Sequence, residues 1–78
     1  MQVHELKAWR SYVEALWDGR KPFELRRNDR GFEVGDVLDL RCITEDGASL
    51  QRIITHIVHG PNFGIPEGYA MLSMMEVR

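Results

Sequence analysis

The stretch GRKPFELRRNDR, residues 19–30, decides the fold because the hydrophobic period changes inside it. Apolar residues before it recur at helical spacing, whereas Phe23 to Arg27 alternates apolar and charged side chains, as is typical of a β-strand. Gly19 is suited to the left-handed residue that ends a helix, and Pro22 cannot continue one. The sequence therefore predicts a helix that ends near Gly19 and a strand that begins at Phe23.

The same stretch contains half of the chain's ten Lys and Arg residues: Arg20, Lys21, Arg26, Arg27 and Arg30. The net charge of the whole chain is −2, so we expect a small basic patch on an otherwise acidic surface. Proteins that coat nucleic acid without specificity need a broadly basic surface, which this composition does not provide. An anionic ligand of limited size fits the charge distribution better than a long duplex.

A short strand and one helix are predicted before this stretch. Val3 to Leu6 has the length of a strand. The apolar residues that follow lie at i, i+3, i+4, i+7 and i+8, which is one face of an α-helix: Trp9, Tyr12, Val13, Leu16 and Trp17. Ser11 and Glu14 have the spacing of a capping box, so we expect the helix to begin close to Ser11 and its aromatic stripe to pack in the core.

The second half of the chain predicts β-structure. Residues 37–43, 50–58 and 69–77 have the alternation, β-branched content or apolar character of strands, and Glu45-Asp46-Gly47 is typical of a hairpin turn. Gly60–Gly68 is the one long loop. The order β-α-β-β-β-β predicts an α+β fold, mostly β, in which one main helix packs at the open end of a small curled sheet or barrel.

Length and composition are those of a small globular protein. We expect a single domain over residues 1–78, because so short a chain has room for one small core. Hydrophobic residues make up 44% and charged residues 28%, and no apolar run is long enough to cross a bilayer, so no membrane partner is expected. No secretory signal is visible, which makes the cytoplasm the expected location. The single cysteine, Cys42, is expected to be a small buried hydrophobic residue.

The sequence predicts neither a metal site nor a cofactor. His56 and His59 are three residues apart and point to opposite faces of a regular strand. His4 lies beside Glu5 in the first strand, where it could enter the cleft, but a structural histidine is the expectation. A hydrolytic triad is not supported either, because no serine has a histidine and an acid at a recognised nucleophile spacing.

The candidate site lies in the predicted strand that begins at Phe23. Alternation places Glu24 and Arg26 on one face and Phe23 and Leu25 on the other, and we expect the apolar pair to face the core. Arg26 would offer a planar donor fork to a base edge and Glu24 would accept from an exocyclic amine, or the two form a surface ion pair of at most about 1 kcal/mol. Lys21 would bind phosphate or act as a base, the alternative being a solvated lysine.

The other charged side chains between residues 19 and 30 are weaker candidates for ligand binding. Asp29 and Arg30 are second choices for ligand contacts, and Asp29 also suits the turn that follows the strand. Arg20 and Arg27 are expected to be peripheral phosphate contacts. The aromatic residues near the long loop, Phe63 and Tyr69, are expected to close the barrel more than to stack on a base.

Residues 19–26 carry a resemblance as well, since they match a Gly-x-Lys-x-x-Glu-x-Arg signature placed just after the first helix. In this the chain resembles the ASCH group of PUA-like domains. More narrowly, it resembles the DUF3850 family of phages and bacteria over nearly its whole length. That resemblance rests on residues 4–7, Trp9, Tyr12, residues 23–30, Phe32, residues 34–36 and the segment 64–71, which is of the Gly-Ile-x-x-Gly-Tyr type. It departs at Arg10, where the family has a proline at the start of the helix.

The resemblance implies a PUA-like barrel, a cleft between helix and sheet, and a role in RNA binding or RNA-related chemistry. Some ASCH proteins are similar to small amidohydrolases that act on acylated cytidine with a lysine, a threonine and a glutamate. Lys21 matches that lysine, but Glu24 stands at the threonine position, which counts against the activity.

The predicted function is therefore binding of RNA or a nucleotide-like ligand through Lys21, Glu24, Arg26, Asp29 and Arg30. One alternative is an amidohydrolase that acts on an acylated cytidine nucleoside, with Lys21 and Glu24 as catalytic residues. The other is a phage-type accessory protein that binds a protein partner through the Gly60–Gly68 loop.

Overall fold

A computed structural model describes residues 1–43 and 48–77 of the chain. Within these ranges the chain forms five strands and one helix, which are β1 (Val3–Ala8), α1 (Arg10–Trp17), β2 (Phe23–Arg27), β3 (Val37–Cys42), β4 (Ser49–His59) and β5 (Tyr69–Glu76). The predicted order of elements is confirmed, and their ends lie within two residues of the predicted ones. The predicted turn at Glu45-Asp46-Gly47 lies outside the described residues.

The strands form one curled sheet in the order β1-β3-β4-β5-β2. β1 runs parallel to β3, and every other neighbouring pair is antiparallel. The register between β4 and β5 shifts between Ile54 and His56, and such a bulge increases the local twist of a sheet. The result is an α+β fold whose sheet curls into a half-barrel, with β1 and β2 as its two edges.

Arginine side chains bridge the opening between these two edges. Arg26 donates from Nη2 to the carbonyl oxygen of Lys7, and Arg30 donates from Nη1 to that of Glu5, both at 2.8 Å. Glu5 and Lys7 are two residues apart, so their carbonyl groups point to the same edge of β1. The guanidinium groups therefore replace part of the backbone pairing that a closed barrel would have there.

The core lies on the concave side of the sheet, under α1. Its buried apolar residues in the described part form one cluster, which contains Leu6, Ala8, Val13, Leu16, Phe32, Leu38, Leu40, Cys42, Leu50, Ile54, Ala70, Leu72 and Met74. The predicted burial of Cys42 is confirmed. Arg52 of β4 donates from Nη2 to the carbonyl oxygen of Leu16 at 2.7 Å, which satisfies an end carbonyl of α1 and fixes the helix against the sheet.

The predicted capping box at the start of α1 is wrong. The helix begins at Arg10, and its N-cap is Trp9, whose side chain makes no capping hydrogen bond. Glu14 instead pairs with Arg10, at 3.2 Å. Because Trp9 follows β1 with an extended backbone and its carbonyl accepts the first helical hydrogen bonds, Ser11 already lies inside the first turn. The predicted end is confirmed, since Gly19 has a φ of 80°.

The prediction that the aromatic stripe of α1 packs in the core is wrong for its three aromatic residues. Val13 and Leu16 are buried, whereas Trp9, Tyr12 and Trp17 are exposed. The helix has two turns, so only the residues that point directly at β3 and β4 reach the core. The aromatic rings remain on the flanks of the helix.

The predicted orientation of β2 is also wrong. Glu24 is 3% exposed, while Phe23 and Leu25 are 43% and 47% exposed. Glu24 lies opposite the fully buried Leu72 of β5, and it shares that concave face with Arg26. Alternation predicts which residues share a face, but the face that is turned inward depends on how the sheet curls.

Candidate functional site

A cleft of about 680 Å³ lies between β2, the end of β1 and the start of α1. Its volume falls within the range of small-molecule sites in proteins. Exposed apolar side chains form its rim, namely Trp9, Tyr12, Phe23, Leu25 and Ile43. Ala8 and Lys7 of β1 also line it, and its polar part is formed by Lys21, Glu24 and Arg26, which belong to β2 and the turn before it. The structure thus brings together the three residues that the sequence analysis placed first.

Glu24 is the centre of the polar part, which we call the cleft triad (Lys21, Glu24 and Arg26). Its Oε1 contacts the ammonium group of Lys21, and its Oε2 accepts a hydrogen bond from Nε of Arg26 at 2.7 Å. The side chain of Glu24 is 4% exposed. A buried carboxylate needs such partners because an unpaired charge away from water is costly. The triad as a whole carries one net positive charge.

Lys21 is held by backbone and by aromatic rings. Its N–H donates to the carbonyl oxygen of Ala15 at 3.0 Å, which ties the turn after α1 to the helix. Its Nζ donates to the carbonyl oxygen of Phe23 at 2.9 Å. The same nitrogen lies 5.0 Å from the ring centroid of Tyr12 and 5.2 Å from that of Phe23, which is the geometry of a cation–π contact. The ammonium group therefore has a fixed position between the two aromatic rings and the carboxylate of Glu24.

Arg26 is held by two hydrogen bonds and has further N–H groups that make none with the described residues. Its Nε donates to Glu24, and its Nη2 donates to the carbonyl oxygen of Lys7. No described residue accepts a hydrogen bond from its Nη1. Because Arg26 lines the cleft, this end of the guanidinium group is available to a ligand.

Asp29 and Arg30 lie apart from the triad. Asp29 is exposed, and Arg30 donates to the backbone of Glu5 across the opening of the half-barrel. Neither is among the described residues that line the cleft. Any ligand contact of Asp29 or Arg30 would therefore form outside the cleft.

Arg20 and Arg27 are exposed on the surface. Arg20 pairs with Asp18 at 3.0 Å, and this guanidinium holds the pKa of the Asp18 carboxyl below its ordinary value. The guanidinium carbon of Arg27 lies 5.8 Å from the ring centroid of Tyr69. Neither Arg20 nor Arg27 is among the described residues that line the cleft.

The family comparison covers the same elements as the cleft. The model of a domain of unknown function, DUF3850, matches residues 3–74, almost the whole of the 78-residue chain. The chain belongs to the DUF3850 family. The matched segment begins with β1 and ends inside β5, so it includes α1, β2 and the cleft triad. No curated protein matches the chain.

A second buried polar group in this DUF3850 protein joins β1 to the turn before β3. Nε2 of His4 lies 2.8 Å from Oδ2 of Asp36, and the Asp36 carboxylate also accepts the backbone N–H groups of Gln2 and Glu33. These hydrogen bonds, foremost the one with His4, hold the pKa of Asp36 below its ordinary value. The ring of His4 meets that of Phe32 edge-on, with the centroids 4.8 Å apart.

The aromatic rim is what the sequence analysis missed at the DUF3850 site. The helical pattern predicts Trp9 and Tyr12 in the core, and strand alternation predicts Phe23 on the buried face of β2, yet all three line the cleft. Their positions in the sequence are the signal that could have identified them. Trp9 and Tyr12 precede the first buried helical residue, and Phe23 lies between Lys21 and Glu24.

Two further findings concern ligand classes. In the described ranges, no group of three or more His, Cys, Asp or Glu side chains is placed to hold a metal ion. The same part of the chain has no helix with the length and apolarity needed to cross a membrane.

Proposed function

We propose that this protein binds a nucleotide, or a nucleotide unit of single-stranded RNA, in the cleft between α1 and β2. The observation that carries the proposal is the cleft triad, in which a buried carboxylate holds two cations beneath a rim of exposed aromatic rings. Proteins recognise unpaired bases by stacking them on aromatic side chains and by hydrogen bonds to their edges. The cleft offers both kinds of contact within one small volume.

The rim supplies the stacking part of such a site. Trp9, Tyr12 and Phe23 are exposed, although each has a large apolar ring. Stacking of one base on an aromatic side chain contributes about 1–3 kcal/mol to binding. Three exposed rings around one cleft contribute little to the stability of the free protein, but they can stack on a ligand that has a planar ring.

The triad supplies the polar part. It carries a net positive charge, although the whole chain has a net charge of −2. A cation-rich spot on an acidic protein favours a single phosphate or nucleotide over a long polyanion, because a long duplex would also meet the acidic surface.

The proposal extends to a relationship with the ASCH group of PUA-like domains. The support for it is the signature at residues 19–26, together with a helix–sheet cleft that contains all three of its charged positions. A role in RNA binding is what that relationship would imply.

Fluorescence can test nucleotide binding, because the chain has two tryptophans and one of them, Trp9, lines the cleft. A Trp17→Phe variant leaves Trp9 as the single reporter. Titration with nucleoside monophosphates and with short single-stranded RNA should quench its emission saturably, and added salt should weaken binding.

The matched variants are Lys21→Ala in the cleft and Arg20→Ala outside it. Lys21→Ala should weaken binding at least about tenfold, since a cation of the triad is lost, and Arg20→Ala should change it by less than about twofold. Absence of binding to every nucleotide and RNA by the folded protein, with folding checked by circular dichroism, would refute the proposal.

A second candidate, hydrolysis of an acylated cytidine, is favoured by the direct contact between Lys21 and Glu24. Two adjacent groups of this kind can pass a proton to and from a reacting amide. Among the described residues that line the cleft there is no Ser, Thr or Cys. In this candidate reaction water would therefore attack the acyl carbon, the C–N bond would break, and the cytidine amine would leave with the proton. Turnover of N-acylated cytidines that disappears in Lys21→Ala would support this activity; an inactive wild type would remove it.

A further inference from the structure

The polar part of the cleft is richer in hydrogen-bond donors than in accessible acceptors. Both oxygens of Glu24 already bind cations, and its side chain is almost fully buried. Lys and Arg side chains donate hydrogen bonds and cannot accept them. A ligand that presents acceptors to the triad therefore suits it better than one that presents an amino group.

Arg26 presents its donors as a fixed pair. Its Nε donates to Glu24, and one N–H of Nη2 donates to the carbonyl oxygen of Lys7. Both N–H bonds of Nη1 and one of Nη2 have no acceptor among the described residues. In the planar guanidinium group, an N–H of Nη1 and one of Nη2 point outward in parallel. Because two separate chain segments hold the side chain, little of its conformational freedom is lost when a ligand binds.

A pair of parallel donors discriminates among bases. Guanine has two adjacent acceptors, O6 and N7, whereas adenine has an amino donor in place of O6, and uracil has no acceptor next to O4. Cytosine also has adjacent acceptors, in N3 and O2, and the size of its ring is what separates it from guanine. The smaller cytosine ring covers less of the aromatic rim.

We infer that the cleft selects guanine, with Arg26 reading O6 and N7 while the base stacks on the rim of Trp9, Tyr12 and Phe23. The inference rests on the proposed nucleotide binding and adds the identity of the base. A correct bidentate contact discriminates against the wrong base by about 1–3 kcal/mol, which is about 5- to 150-fold in affinity.

The test compares GMP, IMP, 7-deaza-GMP, AMP, CMP and UMP on the Trp17→Phe protein at one salt concentration. IMP retains O6 and N7 and should bind within about threefold of GMP. The loss of N7 in 7-deaza-GMP and of O6 in AMP should each weaken binding at least about fivefold. Because the change in 7-deaza-GMP is made in the ligand, this arm does not depend on a variant that folds.

Arg26→Lys provides the protein-side arm. Lysine keeps the charge and loses the fork, so the ratio of GMP to AMP affinity should fall at least about fivefold. Equal binding of GMP and 7-deaza-GMP, or CMP or AMP binding as tightly as GMP, would overturn the inference and leave nucleotide binding standing. Failure of all six nucleotides and of RNA to bind would overturn the proposed function together with the inference.

Discussion

At the scale of single residues, Glu24 links the stability of the protein to its cleft. Its carboxylate lies on the concave face of the sheet and joins the turn after α1, through Lys21, to the edge of β2, through Arg26. Arg26 in turn reaches β1 through the carbonyl oxygen of Lys7. One buried charge therefore organises groups from three segments, which is why its substitution should affect both folding and binding.

Glu24→Gln should lower the free energy of unfolding by about 3 kcal/mol. The amide has the shape of the carboxylate but not its charge, so it leaves the two cations without an anion. Urea unfolding measures the change. The matched control is Glu14→Gln in the exposed pair with Arg10, which should cost less than about 0.5 kcal/mol. A Glu24 variant as stable as the control would show that the triad contributes nothing to folding.

Asp36 gives the protein an acid-sensitive component of stability. Because folding lowers its pKa, this component is complete above the ordinary carboxyl value of about 3.9 and is lost as the pH falls through the lowered folded-state value. Asp36→Asn removes the titration. The unfolding free energy of the variant should thus fall less between about pH 5 and pH 3 than that of the wild type. Parallel pH profiles for the two proteins would contradict this account.

At the scale of elements, two features go beyond the pairing of strands in the sheet. They are the bridged edges of β1 and β2 and the structured loop between β4 and β5. The edges are joined by arginine side chains. The loop has internal hydrogen bonds, including one from the side chain of Asn62 to the carbonyl oxygen of His59 at 2.7 Å. It buries Ile65 and presents Phe63, which is 93% exposed. The expectation that Phe63 closes the barrel is therefore wrong.

Phe63→Asn should leave the free energy of unfolding unchanged or raise it by up to about 1 kcal/mol. Phe63 has a φ of 53°, a left-handed conformation that asparagine adopts at lower cost, and its ring buries almost no surface. Chemical denaturation tests this. In contrast, Ile65→Asn should cost about 2 kcal/mol or more, because it places an amide in a buried apolar position. A loss above about 1 kcal/mol in Phe63→Asn would show that the ring has a packing role.

At the scale of the whole molecule, the core is aliphatic and both tryptophans are outside it. Among the described residues, Phe32 is the one Phe, Tyr or Trp in the buried cluster. Trp9 and Trp17 are 63% and 70% exposed. The elements are connected through one core, so they should lose structure together.

Urea unfolding followed by far-UV circular dichroism should show one cooperative transition, because the sheet and α1 share that core. Over the same range, the tryptophan emission maximum should shift little, since the indole rings are in contact with water in both states. A native emission maximum far to the blue would place a tryptophan in the core and contradict the exposed rim.

The sequence by itself determined the order of elements, the end of α1 at Gly19, the start of β2 at Phe23 and the membership of the DUF3850 family. These are local properties, because hydrophobic period, turn residues and a contiguous signature can be identified without knowing how distant segments pack. The sequence also placed Lys21, Glu24 and Arg26 together as candidates, since three charged residues so close in sequence around one strand cannot lie far apart.

Only the tertiary structure decided which face of β2 is turned inward. An alternating strand has two faces, and the choice between them depends on how the sheet curls and on what covers it. Here the arginine bridges to β1 and the paired charges of the triad allow Glu24 to be buried while Phe23 remains at the rim. The same packing turns the rings of Trp9 and Tyr12 away from the core and into the cleft.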